Sequence, residues 1–150
     1  MNHLAASIAL VRHPVHLEQQ WLSYWNAGRY YYDFVTAERL EGESYRYCLD
    51  RELAWVLRVR QGKDYLISSQ ARLHLELDSD SELTETFAVV EFYVVDLFGE
   101  SVRTSVKDNQ QLRWLSGDEV LAGQTFDGSP LNPNLVKLLQ KADVIARYPR

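Results

Sequence analysis

The stretch GESYRYCLDRELAWVLR, residues 42–58, decides how this chain folds. The Ser44 hydroxyl is suited to capping a helix, and Leu49, Leu53, Val56 and Leu57 then return at steps of three and four. An amphipathic helix is therefore expected from Tyr45 to Val59, stopped by Gln61-Gly62-Lys63. Glu43, Arg51 and Glu52 place ionisable groups just before this helix and along it. One turn further on, the same face carries Trp55 and Val56, neither able to ligate an ion or move a proton. The helix starts charged and ends as a packing surface.

Upstream, ASIALVRH (6–13) and QQWLSYW (19–25) are rich in β-branched and aromatic residues, which suit a pleated surface, and they predict two strands divided near Pro14. Asn26-Ala27-Gly28-Arg29 predicts a turn into a third aromatic run, RYYYDFV (29–35). Downstream, residues 65–77 alternate: Ile67, Ala71, Leu73, Leu75 and Leu77 lie on one side, and a mostly polar set including His74, which faces water, lies on the other. DSDSELTE (78–85) reads as a solvated acidic loop. TFAVVEFYVVDLFG (86–99) is apolar on both faces, as a central strand between helical layers must be, and Leu97–Glu100 then turn the chain into SVRTSV. Gln111–Leu115 predicts a short strand, Ser116 with Glu119 a capping box for the helix GDEVLAG, and a last helix runs from about Asn134 to Ala146. The order argues an α/β layered domain, and 150 residues with 46% hydrophobic content suit one domain over 1–150.

A net charge of −5, from 21 acids against 16 bases, supplies no general field for a polynucleotide backbone, so a small molecule or a protein is the expected partner and extended nucleic acid is not. The single cysteine, Cys48, excludes an intramolecular disulfide and a multi-cysteine zinc site, and fits a reducing cytoplasm as a small helix residue. The apolar run near the N-terminus is broken by Arg12 and His13 and reads as neither signal peptide nor membrane span, so a cytoplasmic protein with no membrane partner is expected. No Walker loop, G-x-S-x-G elbow or H-E-x-x-H zinc helix occurs.

Glu43, seven further residues and Arg51-Glu52-Leu53 resemble the Nudix box, G-x5-E-x7-R-E-U-x-E-E-x-G-U with U aliphatic. DFVTAERLEGES (33–44) resembles the strand and loop that lead into that box, and LRWLSGDEVLAG (112–123) the Trp-led strand and helix that close the fold. The resemblance runs from Ile8 to about Val144. It implies a Nudix-like α/β/α sandwich with a central mixed β-sheet. It also implies a chemistry, the cleavage of a diphosphate, in which magnesium or manganese neutralises phosphate oxygens and activates water, held by carboxylates at i, i+3 and i+4 of one helix. Here Glu52 is the first of the three, while Trp55 and Val56 occupy the other two positions; Ala37 and Arg58 replace the box glycines.

The residual catalytic set implied is thus Glu52, Arg51 and Glu43, and a surviving metal site would draw on Glu52, Glu43 and Asp108, six residues before Trp114. No cofactor is expected, with magnesium or manganese only if the chain is active. Trp55 is expected to fill the volume that metal and phosphates would otherwise occupy. For a ligand, Arg29 at the turn meets a phosphate or is a surface charge. Tyr31, in the stripe Tyr30, Tyr31, Tyr32 and Phe34, stacks a base or forms core or a dimer face. Glu91, costly if unpaired on a central strand, serves a pocket or meets an arginine, a tyrosine or water. Three functions stay open: a Nudix-like module that has lost hydrolysis and binds a nucleotide-like ligand or a protein, a divergent metal-dependent hydrolase, and a structural homodimer.

Overall fold

The computed structural model describes residues 4–78 and 87–150. Its elements are β1 (Leu4–His13), β2 (Leu17–Asn26), β3 (Tyr31–Asp33), β4 (Thr36–Glu38), α1 (Tyr45–Leu57), β5 (Tyr65–Ile67), β6 (Leu73–Glu76), β7 (Phe87–Leu97), α2 (Glu100–Asp108), β8 (Leu112–Ser116), α3 (Gly117–Ala122) and α4 (Pro133–Ala142). Strands β1 and β7 run parallel at the centre, in register from Ala5↔Val89 to Val11↔Val95, and all other pairings are antiparallel, so the sheet is mixed. The main path is β3-β2-β1-β7-β5, with β4 on β1, β6 on β7 and β8 on β2.

Alternation in the central strands divides the core in two. Ile8, Leu10, Val90 and Phe92 face one way, toward Leu121, Leu135, Leu138 and Leu139 of α3 and α4. Ala9, Val11, Tyr93 and Val95 face the other way, toward Cys48, Leu49, Leu53 and Leu57 of α1 and Val102 and Val106 of α2. The expected α/β/α sandwich around a mixed sheet is the architecture found. Because both faces of β7 are covered, its sequence is apolar without a polar side, as predicted.

Several boundaries differ from the sequence expectation for local reasons. α1 stops at Leu57 rather than Val59, because Arg58 takes a left-handed conformation (φ 56°) and caps the helix end. The run 65–77 is not one strand: Arg46 donates to the carbonyls of Ile67 and Ser68, and Ser68 turns back to Gln70, separating β5 from β6. Of RYYYDFV only Tyr31–Asp33 is strand, as β3: Tyr30 at φ 59° ends the turn, and β4 begins beyond the run at Thr36. SVRTSV, read only as the stretch after a turn, lies within α2; Gly99 at φ 92° permits the change of direction, and Val102 and Val106 bury one helical stripe. The last helix ends at Ala142, where Asp143 is left-handed (φ 55°). Of the expected acidic loop 78–85, residues 79–85 lie outside the described residues. Among the described residues, no helix is long and apolar enough to cross a membrane.

Candidate functional site

The local signals that begin α1 are present as read from the sequence. The Ser44 hydroxyl accepts from the Tyr47 N–H at 3.0 Å, and the Glu43 carboxylate accepts from the Leu40 N–H at 3.0 Å with one oxygen and from the Arg51 guanidinium with the other. Arg51 also reaches the Glu38 carbonyl at 3.4 Å. Glu43 is only 13% exposed. Both of its oxygens are therefore committed to pinning the loop after β4 onto the helix, a brace made of two of the sequence-predicted site residues.

Glu52, one residue past Arg51, is half-buried, and among the described residues it makes no hydrogen bond or ion pair. It lies close enough to Tyr24 of β2 to act on it: the Tyr24 hydroxyl is pushed up to about 12, first by burial and then by the charges of Asp33, Tyr31 and Glu52. Asp33 sits directly across from Tyr24 in the β2–β3 pairing. Its carboxyl is 8% exposed and raised to about 6 by burial, against the opposing help of the Asn132 amide at 3.2 Å and the Phe34 N–H at 2.9 Å. Sequence reasoning passed over Asp33; the available signal was an acid inside the aromatic run YYYDFV, where a carboxylate on a short strand has few routes to water.

Beside this acid group lies a cleft of about 870 Å³, walled by Ala54, Trp55, Val56 and Arg58 of the α1 end, by Tyr24 and Trp25 of β2, and by the segment Asp108–Leu112 between α2 and β8. Tyr24 belongs to the α1 side of the sheet. Trp25, next in the strand, turns its ring to the other side and packs edge-on against Tyr32 at 5.0 Å. The expectation that Trp55 plugs the site is overturned: the indole is 80% exposed and stands at the rim of an open cleft. Trp55 follows Cys48 by seven residues, so the two share one stripe of α1. At Cys48 that stripe is roofed by Ser7 and the Ala37 carbonyl, whereas at Trp55 it has run out over the cleft.

Asp108 does reach this cleft, in company with Trp55 and Val56, whereas Glu43, Arg29, Tyr31 and Glu91 are not part of its wall. Arg29 is exposed on the turn, its N–H held by the Asn26 side chain at 3.2 Å. Tyr31 is half-buried, its hydroxyl pushed up by burial and then by Asp33. Glu91 meets Tyr93 at 2.6 Å and His74 at 2.6 Å. His74 is partly exposed, at 44% of its side chain, and also approaches Glu76.

A magnesium or manganese ion asks for several converging oxygens. Among the described residues no three His, Cys, Asp or Glu side chains gather as a metal-binding group, and Glu43 has both oxygens engaged. The donor set does not fit the ion that the box resemblance implies. What the cleft offers instead is an indole face, a phenol, side-chain amides at 109–111, a single carboxylate and the Arg58 guanidinium, groups that stack and hydrogen-bond.

No protein-family model matches the sequence, and no curated protein matches it. Solved structures do match the fold. The Ap4A hydrolase of C. elegans superimposes with a TM-score of 0.60 at 11% identity, over 93% of this chain and 96% of that one. A mutT/nudix family protein from Listeria innocua gives 0.58 at 11% identity, over 94% and 92%. NrtR of Shewanella oneidensis, in complex with a 27mer DNA, gives 0.52 at 13% identity, over 93% of this chain and 60% of that one. At such low identity the likeness is one of architecture, and it extends over the same strands and helices that the box resemblance implied: the chain has the Nudix fold.

Proposed function

We propose that this chain is a Nudix-fold binding module without the hydrolytic activity of the fold's enzymes, holding a small nucleotide-like ligand in the cleft beside Trp55. One observation carries the reading: where the box helix borders the cleft it presents an exposed indole and a half-buried valine, leaving Glu52 as its one carboxylate at the i, i+3 and i+4 positions. The cleft is open and large enough for a ligand of nucleotide size. Chemistry that needs a clustered charge at the phosphates has lost its means, while recognition by stacking and hydrogen bonds has not. Incubation with ADP-ribose, dinucleoside polyphosphates and nucleotide sugars, with magnesium or manganese, should release neither phosphate nor nucleoside monophosphate. A bound ligand should raise the melting temperature, since saturation at 100 times Kd adds about 2.7 kcal/mol. Turnover of any of these compounds refutes the non-catalytic part of the reading.

A second reading, a divergent hydrolase, draws on the position of Asp108 in the same cleft and on the fold shared with an Ap4A hydrolase. It requires that turnover of a dinucleoside polyphosphate be detected and that Glu52→Gln abolish it.

A further inference from the structure

We infer that the cleft between α1 and the Asp108–Leu112 segment takes a heteroaromatic ring that is neutral or positively charged, as in a nucleoside, in preference to a polyphosphate, and binds it without a divalent metal. This rests on the binding reading above and names the class of ligand.

The apolar contribution comes from Trp55. An indole 80% exposed at the rim of a cleft offers a full face to a planar ring, and stacking of this kind tolerates any base. The polar contribution comes from Asn109, Gln110 and Gln111, consecutive residues on the opposite wall. A side-chain amide both donates and accepts, which suits the mixed edge of a heterocycle and has no preference for an anion; Gln110 and Gln111 offer both functions, while the Asn109 oxygen already accepts from the Gln111 N–H at 2.9 Å and offers chiefly its NH2.

Charge then selects. Asp108 lines the cleft, and Glu52 and Asp33 lie close enough behind it to act on Tyr24. On the basic side there is Arg58 alone, at the C-cap of α1, where a cation complements the last helix carbonyls. Of the lining residues Asp108 and Arg58 stand one acid against one base, so the wall offers a phosphate no net attraction, and Glu52 and Asp33 behind Tyr24 tip the balance toward a ring cation. A divalent ion would reverse that balance only with the carboxylates that Trp55 and Val56 have replaced.

Calorimetric titration of the full chain at low salt tests this, using the four common nucleosides, their mono-, di- and triphosphates, and N1-methyladenosine as a ring that carries positive charge, each with and without magnesium. Expected is tightest binding by N1-methyladenosine, then by a nucleoside, with about a threefold loss for each added phosphate, not restored by magnesium and flattened by salt. Trp55→Ala, which keeps its fold because the ring is exposed, should weaken every bound compound about tenfold. Asp108→Asn should narrow the gap between nucleoside and triphosphate. Affinity that rises with phosphate number, or that needs magnesium, overturns the ligand class and leaves the binding module standing. Binding indifferent to Trp55→Ala overturns the site. Absence of binding by every compound overturns both this inference and the reading on which it rests.

Discussion

Replacing Asp33 by Asn should stabilise the protein at neutral pH and weaken it near pH 4. The carboxyl is 8% exposed and titrates near 6 in the folded chain, against 3.8 when unperturbed, with burial as the main cause. A folded-state value above the unfolded one means that between about pH 4 and 6 the native protein keeps a proton that the unfolded chain has released. The stabilising contribution is therefore fully present below 3.8 and lost as pH rises through about 6. A displacement from 3.8 to about 6 corresponds to a loss on the order of 3 kcal/mol. Asparagine carries no charge at any pH, so it escapes that loss. Its oxygen can still accept from the Phe34 N–H, but its amide nitrogen would confront that of Asn132, whose own oxygen is occupied by the Asn134 N–H at 3.1 Å. One hydrogen bond fewer costs about 1 kcal/mol. The net expectation is a gain of about 1–2 kcal/mol above pH 7 and a loss of about 1 kcal/mol near pH 4. Urea unfolding of both proteins at pH 4, 5, 6, 7 and 8 gives the difference curve directly. A difference that stays flat across that range, or a variant weaker than its parent at pH 8, refutes the argument that a buried, protonatable carboxyl sits beside Tyr24.

The double substitution Trp55→Glu with Val56→Glu restores the three-carboxylate face on α1. Because Trp55 is exposed and Val56 only half-buried, the variant should fold, lose about 1–2 kcal/mol, and recover stability on addition of manganese; a calorimetric scan that shows an unfolded chain, or no effect of manganese, contradicts the open cleft. Arg51→Ala removes the partner of a carboxylate that is 13% exposed; since Arg51 itself is 40% exposed, a loss of about 1 kcal/mol is expected, shrinking with added salt, with faster amide exchange at Leu40. Gly117→Ala would put a Cβ 1.9 Å from the Ala146 carbonyl oxygen and so displace the C-terminal tail from α3, breaking the bond from the Asp118 N–H to the Tyr148 carbonyl; a loss of about 2–3 kcal/mol is expected, and an unchanged melting temperature would contradict that packing.

By itself the sequence determined whatever depends on neighbours along the chain. Ser44 before α1 and the Ser116–Glu119 capping box mark helix starts because a side chain reaches only two or three residues to satisfy free amides, and both bonds form as the spacing requires. The two-sided apolarity of β7 announced a central strand, and the box spacing announced the Nudix-like frame, because both are local patterns with long-range consequences. α2 escaped notice because it buries only Val102 and Val106, too few apolar positions to show a period. Tertiary structure alone decided what Trp55, Asp33 and Glu43 do. The same stripe of α1 is roofed at Cys48 and open at Trp55, which depends on where β1 and β4 lie beneath the helix and not on any residue within it. Asp33 holds its proton to about pH 6 because the folded chain closes over it, and burial is a sum over distant segments that no stretch of sequence contains.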